Sequence, residues 1–280
     1  MSEIRAATWA DFDAVIALSG PEVHAEHVRQ RWKLPGYELG WVGVEDGRVV
    51  GYASLDETQD ASVAGREPAV GDALLERVIA RARERGFGHI AITAASDNTS
   101  LTALARRNEF TVDREILRMW RALDGELPEP TWPTDVTVRT FGAADGERVQ
   151  AFLDAAYAAW DPDYVARPHD AWLAFMTEHN DFDPTLWFLV ERDGGLVACA
   201  LHWKESNDRG WVKDIAVLES ERGKRLGTSL LRHALRTYGE RGMKSVGLKV
   251  DSTNPTGAPR LYERIGFVTD QRLGIWIKRL

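Results

Sequence analysis

A chain of 280 residues with 44% hydrophobic and 28% charged residues can fill two cores of about 130 to 150 residues each and is not biased toward disorder. Its net charge of −8 excludes a general nucleic-acid binder, which needs a basic face, but still permits one local anion site. The N-terminus MSEIRAATWADFDAV carries no apolar core with a cleavage site, and no segment offers the ~18 uninterrupted apolar residues of a membrane span, so a cytoplasmic protein without a membrane partner is expected.

In chain order, EIRAATWADFDAVIAL reads as a short strand and a helix. His24 and His27 lack a nearby cysteine or convergent carboxylates, so no metal site is expected there. Residues 124–135, DGELPEPTWPTD, contain Pro128, Pro130 and Pro133, which suit neither a continuing helix nor a central strand. They mark a linker between domains at 1–123 and 136–280. After it, VTVRTFGAADGERVQAFLDAAY again reads as a strand and a helix. At a spacing of 156 residues Arg66 pairs with Arg222, Gly71 with Gly227, Leu74 with Leu230, Glu84-Arg85-Gly86 with Glu240-Arg241-Gly242, Asn98 with Asn254 and Trp120 with Trp276. Matches at structural punctuation indicate a duplication.

In the second half, LWFLVERDGGLVACALHW is a hairpin around Asp193-Gly194-Gly195, with the single cysteine, Cys199, at a buried strand position. A strand at 211–217 and a helix with Leu226, Leu230, Leu231, Ala234, Leu235 and Tyr238 on one face follow. A strand over 245–251 and a short helix over 256–265 complete the pattern. Strand, helix, strand implies a right-handed crossover and one parallel pair in an otherwise antiparallel sheet. The expected fold class is α/β (α+β), two tandem domains, each a mixed, mostly antiparallel sheet flanked by helices.

The informative stretch is WVKDIAVLESERGKRLGTSLLRHAL, where a strand passes through a polar loop into a helix starting near Lys224. Unpaired N–H groups and the positive end of the helix dipole converge there, Gly223 and Gly227 admit a phosphate, and Arg222, Lys224 and Arg225 add cationic charge. Neither a Walker A loop nor G-x-G-x-x-G occurs. The segment Arg222, Gly223, Lys224, Arg225, Leu226, Gly227 resembles the pyrophosphate loop [QR]-x-x-G-x-[GA] of the GNAT acetyltransferases. Arg225 stands where glycine is usual, a strained choice if its φ is positive. Downstream, NPTGAPRLYERIGF is similar to the family's N-x-x-A-x-x-L-Y-E-x-x-G-F segment.

The resemblance covers residues 136–280 well and 1–122 in outline, and it identifies the chain as a tandem member of that superfamily. It implies acetyl-CoA or another short acyl-CoA as co-substrate, no metal, and a small-molecule amine as acceptor. The strand before the loop would splay from its parallel neighbour, so that Ile215, Ala216 and Val217 offer backbone to pantetheine. Arg222 to Thr228 would hold the pyrophosphate and Asn254 the pantetheine arm, unless Asn254 only ends a strand. Tyr262 matches the tyrosine that protonates the departing thiolate. The positions where relatives carry an acidic base hold Trp211 and Lys249; Asp214 is the candidate base, with Asp251, Glu205 and His202 as substitutes.

In the first half the loop is replaced by Glu67-Pro68-Ala69-Val70, which adds negative charge and removes an N–H donor, and Ala105 and Glu109 stand for Tyr262 and Gly266. That domain is expected to be structural. The segment AAYAAWDPDYVARPHDAWLAFMTEHNDFDP faces the acceptor in this scheme, as an aromatic and acidic lining or as core. The leading reading is N-acetyl transfer to a small-molecule amine. Alternatives are a non-catalytic acyl-CoA-binding or regulatory protein and a peptide or protein N-acetyltransferase. Oligomeric state is not readable.

Overall fold

The computed structural model describes residues 2–19, 25–33, 37–159, 161, 164–178, 180–205 and 208–280. The first half supplies β1 (Glu3–Ala6), α1 (Phe12–Leu18), α2 (Ala25–Lys33), β2 (Trp41–Glu45), β3 (Arg48–Leu55), β4 (Asp60–Gly65), α3 (Pro68–Glu84), β5 (His89–Ala95), α4 (Thr99–Arg107) and β6 (Thr111–Ala122). The second half repeats the order: β7 (Thr137–Thr140), α5 (Gly146–Ala158), α6 (His169–Thr177), β8 (Phe188–Arg192), β9 (Gly195–Lys204), β10 (Arg209–Val217), α7 (Leu226–Glu240), β11 (Ser245–Asp251), α8 (Ala258–Ile265) and β12 (Val268–Arg279). The duplication is thus written into the element order, and β5 and β11 start 156 residues apart.

Two compact units result, Met1–Ile116 with Gln271–Leu280 and Leu117–Asp270. This differs from the linear division expected at 124–135. In the first unit the strands run β1-β2-β3-β4-β5-β12, and Leu273–Arg279 pairs antiparallel with β5. In the second the order is β6-β11-β10-β9-β8-β7. Each half of the sequence therefore lends the end of its last strand, residues 117–122 of β6 and 271–279 of β12, to the other unit. An edge strand with unpaired N–H and C=O groups is satisfied equally well by either copy of a duplicated strand, so sequence proximity does not decide the pairing.

Within each unit one pair is parallel, β4 with β5 and β10 with β11, as the crossover helices α3 and α7 require. The β8–β9 hairpin turns through Asp193 (φ 50°) and Gly194 (φ 77°), the two positive dihedrals of a tight hairpin turn. The expected apolar face of α7 is buried in full: Leu226, Leu230, Leu231, Ala234, Leu235 and Tyr238. Each of its buried leucines contributes about 1.5–3 kcal/mol.

The proline-rich stretch is a strap rather than a loose linker. Its alternate carbonyls, Leu127, Glu129 and Thr131, accept from Arg236, Arg232 and Ser229 on one face of α7. Prolines cannot donate to a ladder, but an extended chain presents alternate carbonyls to one side, and α7 supplies the donors.

Candidate active site

The site starts from an irregularity in β10. Val212 opposes His202 and Asp214 opposes Leu201 on β9, so Lys213 is an extra residue in the ladder. A bulge of this kind shifts the alternation of faces. Val212 packs toward α7 and α8, whereas Asp214 turns to the opposite side of the sheet, where α5 lies. There Asp214, 8% exposed, accepts a 2.6 Å hydrogen bond from the Tyr157 hydroxyl through Oδ1, and its Oδ2 lies 3.2 Å from Lys213 Nζ.

The bulge also coincides with the end of parallel pairing. β10 and β11 are in register from Arg209↔Ser245 to Val212↔Leu248 and no further, although the strands continue to Val217 and Asp251. Ile215, Ala216 and Val217 pair with β9 on one side and have no ladder partner on the β11 side. An unpaired strand edge of this length accepts an extended amide-bearing ligand as an added strand.

Beyond Val217 the chain turns through Gly223 (φ 81°) and Arg225 (φ 64°) into α7, which starts at Leu226, two residues later than the sequence suggested. Arg225 is therefore a non-glycine residue in the left-handed region, a conformation costing roughly 1–2 kcal/mol. Its side chain does not cap the helix, which leaves the first N–H groups of α7, those of Leu226, Gly227 and Thr228, directed out of the helix end. A Cβ on Gly223 would meet nothing within 4 Å, so the loop is open there. The cationic charge is smaller than expected: Lys224 Nζ is 3.0 Å from buried Glu221, which Arg192 also holds, and Arg222 lies 3.8 Å from Glu219. What the loop could offer an anion is therefore its backbone N–H groups and Arg225.

Tyr262 lies on α8, 5% exposed, in the core cluster with Val212, Val250 and Phe267. Burial, and secondarily Asp214, pushes its hydroxyl well above the ordinary tyrosine range. Burial, followed by Asp214, does the same to Tyr157, on which Tyr262 also acts. The three groups share one neighbourhood, and both phenols keep their protons at neutral pH. Tyr157 also stacks on Tyr164, 5.6 Å between centroids, whose hydroxyl is 2.6 Å from Asp154.

The substitutes for the base separate. His202 faces α7, fully buried between Phe188 and Tyr238, and burial lowers its pKa to about 3. Neither ring nitrogen has a hydrogen-bond partner among the described residues. It is on the wrong side of the sheet to act with Asp214, because the residue paired with Val212 shares that face. Glu205 ion-pairs with Arg209 at the far end of β10, and Asp251 Oδ1 accepts from the N–H and hydroxyl of Thr253 in a local turn. Trp211 covers Gly247, where any Cβ would sit 2.6 Å from its ring, and Lys249 is exposed. Asn254 Oδ1 accepts from Thr256 N–H and hydroxyl, the turn-forming use of that side chain.

Cys199 is fully buried in β9, and burial pushes its thiol up out of the reactive range. His24 and parts of the acceptor-facing segment (160, 162–163 and 179) lie outside the described residues, as does the His27 side chain. Tyr157 and Lys213 are the site residues that motif reading passed over. The bulge that assembles them leaves no signature in WVKDIAV, and Tyr157 is 57 positions from its partner.

The acetyltransferase (GNAT) family model matches residues 149–267, which include Tyr157, Asp214, the loop at 222–228 and Tyr262. Mycothiol acetyltransferase of Thermomonospora curvata is 35% identical over 248 residues, covering 83% of this chain and 80% of the relative. That of Acidothermus cellulolyticus is 32% identical over 287 residues, covering 89% and 83%. Among solved structures, a GCN5-related N-acetyltransferase from Sphaerobacter thermophilus superposes with a TM-score of 0.78 at 26% identity, covering 99% of this chain and 95% of that one. With relatives this similar over most of its length, the chain belongs to the GNAT family of acyl-CoA-dependent N-acetyltransferases.

Proposed function

We infer that unit Leu117–Asp270 transfers an acetyl group from acetyl-CoA to a primary amine of a small molecule by direct attack. The observation that carries this is the coincidence, at one point of β10, of the end of parallel pairing, the bulge and the Asp214–Tyr157 pair. Pantetheine would pair with Ile215–Val217, and the pyrophosphate would take the N–H groups from Leu226 to Thr228, with Arg225 as counter-charge. The Asn254 side-chain amide, whose oxygen is engaged by Thr256, retains its N–H donors for the pantetheine arm.

In this scheme the acceptor arrives as an ammonium and loses one proton to Asp214, which passes it to solvent. The neutral amine then attacks the thioester carbon. The C–N bond forms and the C–S bond breaks; the Tyr262 hydroxyl gives its proton to the departing sulfur and takes the second proton from the nitrogen, so that coenzyme A leaves as thiol and the phenol ends neutral. A phenol with a raised pKa serves here as a persistent hydrogen-bond donor, since it is never lost to ionisation near neutrality. Among the described residues no group of three or more His, Cys, Asp or Glu side chains is placed to hold a metal ion. The mycothiol acetyltransferases make an amine on a thiol-bearing small molecule the first acceptor to try.

Acetyl-CoA titration, followed by thiol release across a panel of amines, tests the reading. Acetyl-CoA should bind and at least one small amine turn over, with Tyr262→Phe reducing kcat by about 10² to 10³ while acetyl-CoA affinity stays within twofold. Binding without turnover of any amine, unaffected by Tyr262→Phe, would instead establish a non-catalytic acyl-CoA-binding protein.

A further inference from the structure

The bulge at Lys213 places two successive side chains on one face of the sheet. Lys213 Nζ is 3.2 Å from Asp214 Oδ2 and 5.6 Å from the centre of the Trp203 indole, and the lysine side chain is 28% exposed against 9% for the aspartate. The other oxygen of Asp214 takes the Tyr157 hydroxyl. A buried carboxylate oriented by a neutral donor, next to an aromatic face, is the donor set that recognises a primary ammonium: charge-assisted hydrogen bonds on one side, ring quadrupole on the other. Here a primary ammonium already sits in it, and it belongs to the chain itself.

We propose that Asp214, Tyr157 and the face of Trp203 form the ammonium subsite for the acceptor, and that Lys213 is a resident competitor that must leave before an acceptor amine binds. The inference rests on the amine-acetylation reading and adds to it the groups that hold the acceptor and a device that sets its affinity. Two ammonium groups cannot both take Asp214 Oδ2 at close range without strong repulsion. Displacement of Lys213 is open to the chain because its head group is the more exposed partner and its stem can swing to solvent. An acceptor that brings only its ammonium gains no net ion pair by the exchange, so the subsite favours amines with additional contacts to make. Tyr164, stacked on Tyr157, and Asp154, which accepts from the Tyr164 hydroxyl, lie where such contacts could be made.

The test uses the full chain, with propylammonium as the probe, followed by ligand-observed NMR titration in the absence of acyl-CoA. Lys213→Met, which keeps the stem on Trp203, should tighten propylammonium binding at least tenfold over the unsubstituted chain. Lys213→Gln should act in the same direction, Lys213→Arg should leave the affinity unchanged, and adding Asp214→Asn to Lys213→Met should cancel the gain. Propylammonium affinity that Lys213→Met and Lys213→Gln leave unchanged or undetectable overturns the proposal, and Lys213→Gln serves alone if Lys213→Met does not fold. Acetyl-CoA is titrated separately on the same proteins. Its failure to bind would strike the acetyltransferase reading, whereas unchanged amine affinity would strike only the subsite.

Discussion

The two units have the same frame and opposite loops. In both, a parallel strand pair opens early: β4 and β5 are in register only at Asp60↔Ala91 and Ala61↔Ile92, as β10 and β11 are only to Val212↔Leu248. The difference lies in how the chain leaves the splayed strand. After Gly65 the first unit goes at once into α3, with Glu67 at the N-cap (φ −111°) and Pro68 in the first turn, and that helix runs 17 residues. A Cβ on Gly65 would lie 3.0 Å from Gly71 N, so strand end and helix start are in contact. The second unit inserts two left-handed residues, Gly223 and Arg225, before a helix of 15 residues, and the gap stays open. A splayed sheet is thus a property of the fold, while an anion site depends on a few turn dihedrals, which are cheap to gain or lose.

The sharpest way to break this comparison is to close the open loop. Gly227 sits where a Cβ would find only Leu261 and Val217 at 3.5 and 3.7 Å, so Gly227→Glu should fold. Its carboxylate at the phosphate position should cost at least about 100-fold in acetyl-CoA affinity, about 2.8 kcal/mol, by calorimetry. The unsubstituted chain should take one acetyl-CoA, and Glu67→Gln in the first unit should not change that. A stoichiometry of two, or binding that survives Gly227→Glu, would show that the first unit is not closed.

Acid should separate the units next. Burial depresses the pKa of His202 to about 3, and burial also lowers that of His233; His202 packs against α7 and His233 is part of it, both in the second unit. Above about pH 6.5 such a histidine is neutral folded and unfolded, so pH has no effect there. Below it the unfolded chain binds a proton that the folded chain refuses, and stability falls with falling pH by up to about 1.4 kcal/mol per pH unit for His202, down to its folded pKa. Hydrogen exchange between pH 7 and pH 5 should show α7 and β9 losing protection before α3 and β5, and His202→Leu should reduce the difference.

The smallest effect concerns Arg225. Relief of its left-handed backbone by Arg225→Gly should stabilise the second unit by about 1 kcal/mol in denaturant unfolding, while acetyl-CoA affinity drops only several-fold through the lost cation. A loss as large as that of Gly227→Glu would mean that the side chain, and not the backbone, holds the phosphates.

Much of this was legible in the sequence. The DGG hairpin, the apolar face of α7, the order strand, loop, helix around Arg222 to Thr228, and the burial of Cys199 all rest on local rules of periodicity and turn chemistry, which a linear reading can apply. The loop's charge was overestimated because Glu219 and Glu221, each three residues ahead of Arg222 and Lys224, pair with them. His202 was a reasonable base by residue type, yet one extra residue in β10 decides which side of the sheet its neighbours face. Asn254 is usable in both of its readings, since the turn takes its oxygen and leaves its amide.

The sequence by itself determined that the chain is duplicated, that its second copy carries a glycine-bearing basic loop ahead of a helix with a tyrosine downstream, and that its first copy has Glu67-Pro68-Ala69-Val70 in place of that loop. These follow from spacing and from residue types whose backbone preferences act over a few positions. Tertiary structure alone decided which strands complete which unit and that Asp214 meets Tyr157 and Lys213. Pairing of strand edges and the face shift at a bulge depend on contacts across 57 to 180 or so positions, and local preference carries no information at that range.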